Sequence, residues 1–595
     1  MAHPHRGESK ADDTIETFEQ APEPTRGHDE VAPEAIGGAD KSELPRGYYW
    51  SPKFIGTMVA TSLMLISLYL GYVLPINVLS IINEDIGPDP NYVLIPITKT
   101  LGGGVGLLLV GRIGDIFGRR WVYISAQILG TIGSIMAATG NSINTLLGAT
   151  AFIGVAGAAQ TGFSIIIQEL VPNNLRGYFI ASQFVVSFPF ATFGPLMARS
   201  LQEHTALGWR WCYYMNLITC ASSAILFFVF YHPPNYSLLH QGKSLRRELM
   251  SLDYGGLVLY CGGLVMLLLG ISWGGKIHPW SSAKVIGPIV GGVVAITAFG
   301  FYEKHVKMEH PLLPLSIIKS RNFIALAVTG SVATIVYYSM NLLWPTMVGA
   351  LYTKDVLKIG WYSVALGGSV AVGQIMGGIT IRPLKQLHWQ MRISVVGIAA
   401  FTAGLAGAGI GQNALAIALT TLSGLSVGYV ELLAIIMIPF VVDPGDIGLA
   451  SGFTASCRTV SGTIATAIFS TVLSNENSKN IPSQVSSAAV SAGLSPSSVP
   501  AAIKAASLGT AKAYSAVPGM TTKIQAAIMH AVQVANSKSF KTMFLVSLAF
   551  SLASVISSLF IQSVDKSLTG EIARKLQGVR SGHGGTEKSE KTEEV

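Results

Sequence analysis

Residues 111–120 read GRIGDIFGRR, and this stretch decides the fold of the chain. It joins two apolar segments, residues 93–111 and 121–140, and each is long enough to cross a bilayer core about 30 Å thick. A tight turn with glycines, one acid and three arginines therefore lies at a membrane surface. Because arginines that flank membrane helices accumulate on the cytoplasmic side, we expect this turn to face the cytoplasm.

The composition extends this interpretation to the whole chain. Of the 595 residues 50% are hydrophobic and only 12% are charged, whereas about 25% are charged in an average soluble domain. The apolar residues form runs of bilayer length, so we predict an all-α polytopic membrane protein. The fourteen predicted spans are residues 54–76, 92–111, 121–140, 144–166, 178–198, 212–231, 254–272, 285–302, 323–350, 361–381, 393–410, 414–441, 448–473 and 541–563.

The distribution of basic residues predicts the orientation. An even number of spans places both termini on one side, and basic residues concentrate in alternate turns, which predicts that both termini are cytoplasmic. Residues 474–540 form a long Ser- and Ala-rich loop that this topology places outside, with a short surface helix at 521–536. The basic side chains that favour this orientation include Arg112, Arg119, Arg120, Arg176, Lys304, Arg382 and Arg392.

Several function classes are disfavoured by what the sequence holds. The net charge of +8 lies mostly in short loops, which suits membrane orientation better than nucleic-acid binding. The four cysteines show no metal-ligand spacing, and no phosphate-binding motif occurs, so we expect no cofactor and no metal. The spans lack clustered histidines or carboxylates, which argues against an enzyme. A membrane sensor would need an extended signalling domain, and only polar tails are present.

Three charged residues inside the apolar spans are candidates for function. Glu431 and Arg458 each lie twelve residues from the turn that connects their spans, so both are about 18 Å from it and can form an ion pair. The pair either joins two helices statically, or Glu431 takes up a proton and releases Arg458. Lys99 either extends its amine outward to the membrane surface or lines a cavity and meets a polar substrate.

Two further groups of residues are candidates for a hinge and a cavity. Gly194 and Pro195 interrupt the hydrogen bonding of a span, as either a hinge or a packing kink. Tyr337, Tyr338 and Asn341 recur at near-helical spacing and suit a bulky, oxygenated solute, whereas the neighbouring Trp344 is typical of an aromatic belt at the membrane surface.

The chain also shows a faint internal repeat. Gly177 and Gly448 each open a span, and counting back 17 residues from each glycine pairs Gln160 with Glu431. Repeats of this kind are typical of transporters that alternate access around a central site.

Motifs along the chain resemble one transporter family. The stretch at 111–120 resembles the signature loop of the major facilitator superfamily, and the other motifs resemble its fourteen-helix branch, specifically the fungal trichothecene efflux pump family, close to fungal siderophore transporters. These motifs are ELVP at 169–172, RG at 176–177, GP at 194–195, WRW at 209–211, LDYGG at 252–256 and YYSMNLLWP at 337–345.

The resemblance implies a major facilitator fold with two pseudo-symmetric six-helix halves and two linker helices. The expected divisions are a disordered cytoplasmic tail at 1–50, a first half at 51–232, a loop with the two extra helices at 233–303, a second half at 304–563 that includes the outer loop 474–540, and a cytoplasmic tail at 564–595.

The resemblance further implies a conformational latch at the signature loop. Asp115 would cap a helix N-terminus of the other half, where an anion is favoured, and Arg119 would pair with Glu169. The alternative is a plain loop that sets topology with solvated charges. The predicted latch residues are Gly111, Arg112, Asp115, Gly118, Arg119, Arg120 and Glu169.

The expected function is export of amphipathic organic compounds, such as trichothecene-like toxins, driven by a proton gradient through alternating access. The positions where related drug antiporters usually carry an Asp and an Arg hold Gly71 and Thr150 here, so the resemblance leaves the coupling residues and the coupled ion open. A siderophore–iron uptake carrier of the same fold is the main alternative, and a non-transporting sensor ranks lower. We expect a monomer in the plasma membrane, in contact with lipid and a small organic substrate, with an internal membrane such as the vacuole as the alternative.

Overall fold

The computed structural model describes residues 36–38, 44–45, 47–234, 253–275, 278–306, 315–443, 446–508 and 511–577. The helices before the extra pair are α1 (Pro52–Leu70), α2 (Val73–Asn77), α3 (Leu79–Ile86), α4 (Leu94–Phe117), α5 (Arg119–Thr139), α6 (Ile143–Thr161), α7 (Phe163–Leu170), α8 (Arg176–His204) and α9 (Arg210–Phe230). The helices that follow are α10 (Tyr254–Trp273), α11 (Ala283–His305), α12 (Leu315–Lys319), α13 (Arg321–Leu351), α14 (Val356–Leu384), α15 (Leu387–Gly404), α16 (Asn413–Met437), α17 (Ile447–Ser491), α18 (Val499–Leu508), α19 (Ala511–Ser515) and α20 (Thr522–Leu559).

Every predicted span coincides with a long helix or a pair of consecutive helices. Within the described residues, twelve of these are long and apolar enough to cross a membrane. The other two, α4 and α17, occupy the positions of predicted spans 2 and 13, and α17 continues into a polar extension. The membrane-protein class and the helical fold agree with the prediction, while the count of fourteen crossings stays a prediction.

The helices form two bundles that meet along two helix pairs. In the first half α5 packs against α6 and α9, and in the second half α14 packs against α16. Between the halves α4 packs on α17 and α8 packs on α14. The extra helices α10 and α11 pair with each other, and Tyr260 of α10 forms a 2.7 Å hydrogen bond with Ser456 of α17. Outward faces carry exposed apolar side chains such as Ile225, Val258 and Ile393, as lipid contact requires.

The first predicted span is interrupted in the structure. Helix α1 ends at Leu70, the backbone breaks at Gly71 and Tyr72, and α2 resumes at Val73. A side chain at Gly71 would approach Ile153 and Asn216, so the glycine allows this break to lie close to α6 and α9. Interrupted membrane helices line the substrate sites of many transporters, so Tyr72, which lies at this break, is a candidate residue of the substrate site.

The segment 474–540 is not the loop that we predicted. Helix α17 runs without a break to Ser491, and α20 begins at Thr522, so the predicted surface helix at 521–536 is the first part of a 38-residue helix. Between them α18 and α19 close a small apolar core that includes Val485, Ala502 and Ile528. Alanine favours helix, and this apolar stripe explains why the segment folds.

Short parts of the two predicted tails pair with each other in the structure. Strand β1 (Ile36–Gly38) pairs antiparallel with β2 (Ile572–Arg574), so the described parts of both tails lie on the same side of the molecule. Residues 1–35 of the predicted disordered tail, the loop at 235–252 and the tail beyond residue 577 lie outside the described residues.

Candidate functional site

The signature loop is a tight turn between α4 and α5. Gly118, the last of the three glycines in the loop, has φ +86°, a left-handed conformation that favours glycine. Arg119 Nη2 then lies 3.1 Å from Glu169 Oε1, and both side chains are 3% exposed. Arg120 Nη2 donates to the carbonyl oxygen of Phe228 at 2.7 Å. The pairing of Arg119 with Glu169 is therefore present, as we expected.

The other predicted latch residues are described only in part. Gly111 lies on α4 at the contact with α17. The side chains of Arg112 and Asp115 lie outside the described part of the structure, so helix capping by Asp115 stays a prediction.

Two glycine contacts bring the halves together on the side of the signature loop at 111–120, which we call the latch loop. A Cβ added to Gly111 would lie 2.5 Å from the carbonyl oxygen of Gly448, and one added to Gly177 would lie 2.5 Å from that of Gly378. These positions join α4 to α17 and α8 to α14. Gly448 and Gly177 are the residues that the repeat register matched, and both make the same kind of contact with the opposite half. The halves are thus closed on this side.

The intramembrane charges form an ion pair in the second half. Arg458 Nη2 lies 2.8 Å from Glu431 Oε1, with side-chain exposures of 15% and 8%. Thr334 Oγ1 accepts a 2.9 Å hydrogen bond from Arg458 Nε and lies 3.2 Å from Glu431 Oε1. Gln374 Nε2 donates to Glu431 Oε2 at 3.2 Å. The carboxylate therefore has a partner at each oxygen.

Lys99 lies beside the break in the first span. Its Nζ is 4.6 Å from the centre of the Tyr72 ring, a cation–π distance. Tyr72 in turn lies within electrostatic range of Tyr337 and Tyr338 in the second half. The position of the Lys99 amine over an aromatic ring favours the cavity alternative over extension to the membrane surface.

Tyrosines of both halves lie in the neighbourhood of the ion pair. The rings of Tyr337 and Tyr338 are 5.6 Å apart and nearly perpendicular. Tyr69 of α1 and Tyr338 both lie within electrostatic range of Glu431. Asn341 is exposed and donates to the carbonyl oxygen of Tyr337, which places it at the edge of this cluster.

Trp344 corrects one expectation. It is fully buried and its indole nitrogen donates to the carbonyl oxygen of Tyr362 at 2.8 Å, so it is a packing residue and not part of a surface belt. The proposed hinge is also closely packed, because a Cβ on Gly194 would lie 2.8 Å from Val73. Helix α8 continues through Pro195, and the hinge role of both residues stays a prediction.

The sequence did not single out several residues of the site. Thr334 and Gln374 hydrogen-bond to Glu431, and Tyr69 and Tyr72 are the first-half tyrosines nearest to the charges and tyrosines of the second half. An isolated polar residue in an apolar span was the available signal, but such residues occur in most spans. For Tyr72 the available sequence signal was the preceding glycine, Gly71, inside an apolar span.

Comparison with known proteins agrees with this architecture. The family model for the fungal trichothecene efflux pump matches residues 24–590. The trichothecene efflux pump TRI12 of Fusarium sporotrichioides is 30% identical over 549 residues, which cover 91% of each chain. MFS-type transporter prx5 of Penicillium rubens is 29% identical over 449 residues, which cover 74% of this chain and 80% of that protein.

Solved structures show the same fold at low identity. The human organic anion transporter MFSD10 has a TM-score of 0.54 at 13% identity, covering 84% of this chain and 100% of that one. The proton:xylose symporter XylE has a TM-score of 0.51 at 13% identity, covering 90% of this chain and 99% of that one. Together with the family model, these matches lead to one conclusion: the chain belongs to the fungal trichothecene efflux pump family of the major facilitator superfamily, and it is a membrane transporter and not an enzyme.

Proposed function

We propose that this protein exports oxygenated amphipathic toxins of the trichothecene kind by alternating access, and that a proton gradient drives the export. The observation that carries the proposal is the ion pair of Glu431 and Arg458, which lies inside the helical bundle with little exposure of either side chain. A charged pair inside membrane spans is costly to bury, which makes it a candidate for a functional site.

Glu431 is the proposed proton acceptor. When its carboxylate is protonated, the attraction to Arg458 is lost and the guanidinium keeps only its contact with Thr334. Thr334 lies on α13, Glu431 on α16 and Arg458 on α17, so one proton changes the contact between three helices. Deprotonation restores the pair and completes the cycle.

The proposed wall of the substrate site is the tyrosine cluster, which consists of Tyr69, Tyr72, Tyr337 and Tyr338. Aromatic rings pack against an apolar terpenoid skeleton, and the hydroxyls of Tyr72 and Tyr338 can donate to its ester or epoxide oxygens. Lys99, held over the Tyr72 ring, adds a cationic donor from the first half. A substrate that contacts residues of both halves would bias their movement, because it would bind one arrangement of the halves better than the other.

The closed side of the structure is the proposed cytoplasmic side. The glycine contacts at Gly111 and Gly177 must separate for a toxin to enter from the cytoplasm, and they close again before release outside. In this scheme the predicted cap by Asp115 favours the closed state. Asp115→Asn should therefore lower the transport rate while surface expression is retained.

We further propose a monomer in the plasma membrane with both termini cytoplasmic and the helical segment 474–540 outside. Ser495 is exposed in this segment, so an epitope tag inserted there should be labelled on intact cells. Tags at either terminus should need permeabilisation, and labelling of a terminus on intact cells would contradict the orientation.

A transport assay in inside-out vesicles tests the function directly. With an acidic lumen, vesicles that contain the protein should accumulate a radiolabelled trichothecene, and a protonophore should abolish the accumulation. The variant Glu431→Gln combined with Arg458→Gln should fold but lose the response to the gradient. Glu203→Gln, which changes an exposed acid of α8, is the matched control and should transport normally.

The same assay distinguishes toxin export from the alternative function, the uptake of a ferric siderophore. A ferric siderophore supplied to right-side-out vesicles should not accumulate. Uptake of the siderophore without any toxin accumulation would identify an uptake carrier and contradict the proposal.

A further inference from the structure

The chain after α20 forms a strap, defined here as residues 560–577, on the side of the latch loop. Its first part stays on the second half, to which it is covalently joined. Gln562 N donates to Asn322 Oδ1 at 3.1 Å, and Asp565 Oδ1 accepts from Leu387 N at 3.1 Å, at the starts of α13 and α15. The strap therefore begins as a fixed part of the second half.

The remainder of the strap crosses to the first half. The backbone nitrogens of Asn173 and Asn174, in the turn between α7 and α8, donate to the carbonyl oxygens of Glu571 and Thr569 at 3.1 and 3.0 Å. Gln577 N donates to the carbonyl oxygen of His232 at 2.9 Å. These bonds join the strap to two different turns of the first half.

The end of the strap is also anchored close to α1. Leu576 N donates to Tyr48 Oη at 3.1 Å, and Lys53 Nζ donates to the carbonyl oxygen of Gln577 at 3.0 Å. Burial raises the pKa of Tyr48 to about 12, so its hydroxyl stays neutral at physiological pH. Ile572 and Leu576 are buried against the molecule, which adds apolar contact to these hydrogen bonds.

One strap residue shares the carboxylate that the latch loop uses. Arg574 Nη1 lies 3.3 Å from Glu169 Oε1, the same oxygen that pairs with Arg119 at 3.1 Å. Glu169 is 3% exposed, so its charge has little solvent around it and two cations share it. Removing one cation from such a buried group costs more than removing a surface pair.

We infer that the strap is a second latch, which holds the two halves together on the latch-loop side through Arg574 and Glu169. The argument follows from its attachments: one end is covalently part of the second half, and the other is bound non-covalently to the first. Opening that side separates the halves, so the bonds to Asn173, Glu169 and His232 must break. The strap therefore stabilises the closed state and slows opening.

Cysteine accessibility tests this inference without any substrate. Ile435 of α16 accepts a 2.9 Å hydrogen bond at its carbonyl oxygen from Gln168 of α7, so it lies at the closed contact between the halves. An Ile435→Cys reporter should be alkylated slowly from the latch-loop side, with the parent protein as background for the four native cysteines. Adding Arg574→Gln should raise the alkylation rate by about tenfold, which corresponds to losing about 1.4 kcal/mol of ion-pair stabilisation in the closed state.

Lys575→Gln is the matched control, because it removes the same charge from the next residue, which is not one of the two cations that pair with Glu169. It should leave the alkylation rate near that of the reporter alone. Equal rates in the Arg574→Gln and Lys575→Gln proteins would overturn the inference.

A reversible cross-link provides the second test. Asn173 Nδ2 lies 3.2 Å from Thr569 Oγ1, so Asn173→Cys with Thr569→Cys should form a disulfide across the strap contact. The oxidised protein should stop transporting and a reductant should restore transport, whereas each single variant should be insensitive to oxidation. Full transport by the cross-linked protein would contradict the inference. If the substrate assignment fails instead, the alkylation result still stands.

Discussion

The two halves share a helical frame but differ in what they bury at matching positions. In the first half Gln160 Nε2 donates to Gln127 Oε1 at 3.1 Å, and Gln127 Nε2 donates to Ser223 Oγ at 3.0 Å. In the second half the residue that the repeat register matches to Gln160 is Glu431, which pairs with Arg458. The first network is neutral, and the second is ionic.

Because of this difference, we expect the two halves to respond differently to a proton gradient. A neutral amide network has one protonation state at physiological pH, so it can hold α5, α6 and α9 together but cannot respond to a proton gradient. The carboxylate of Glu431 has two states, and its partner carries a fixed charge. We therefore expect the second half to change its internal contacts during transport while the first half moves as a rigid unit.

The largest effect should come from breaking the ionic pair. Glu431→Gln leaves the Arg458 cation without its counter-charge, which costs about 3–5 kcal/mol for a buried pair. Thermal unfolding in detergent should show a large loss of stability and transport should be abolished. The double change with Arg458→Gln should be more stable than the worse single variant. If the double variant is no more stable than the less stable of the two single variants, the two side chains do not stabilise each other.

Introducing a charge into the neutral network should have the next largest effect. Gln160→Glu buries a carboxylate without a cation in contact, and we expect a loss of about 1–3 kcal/mol and a lower yield of folded protein. Gln412→Glu makes the same change at an exposed position before α16 and should be neutral. If Gln160→Glu is tolerated as well as Gln412→Glu, the contrast between the halves is weaker than the structure indicates.

The glycine contacts should show that the halves are alike where they meet. Gly111→Ala and Gly177→Ala each place a Cβ 2.5 Å from a backbone oxygen of the other half, so overpacking should cost each about 1–3 kcal/mol of the closed state. Alkylation of the Ile435→Cys reporter should rise by similar factors in both. Gly103→Ala, on the same helix as Gly111 but 4.0 Å from its nearest neighbour, should have no effect. Unequal effects would contradict the symmetry of the contact.

The smallest effect should come from the hydroxyl between the charges. Thr334→Val keeps the shape but removes the acceptor for Arg458 Nε, which should cost about 1 kcal/mol and slow gradient-driven transport several-fold. Thr329→Val changes another buried hydroxyl of α13, one that has no hydrogen-bond partner in the described structure, and should not destabilise the protein. Equal transport by the two variants would remove Thr334 from the proposed coupling site.

Apolar run length and the motif at 111–120 were enough to predict the helical membrane fold, because the bilayer imposes a length on every span. The pair Glu431–Arg458 was predictable because charges at equal depth in apolar spans need a counter-charge, and the pair Arg119–Glu169 followed from the resemblance of the loop at 111–120 to the signature loop of the superfamily. The strap was not, because its polar residues acquire partners only when distant turns come together. The helical continuation at 474–491 was missed because its Ser- and Asn-rich composition lacks the apolar content of a span.

Helices α17 and α20 have a mechanical consequence beyond the bilayer. At 1.5 Å per residue, their 45 and 38 residues extend over about 68 and 57 Å, roughly twice the thickness of a hydrocarbon core. Each helix therefore extends well beyond the length of a span, and its far end lies in the small apolar core around Val485 and Ile528. A tilt of a few degrees at Arg458 is magnified at the tip, so a fluorophore at Ser495 should report the transport cycle in real time from a site remote from the substrate.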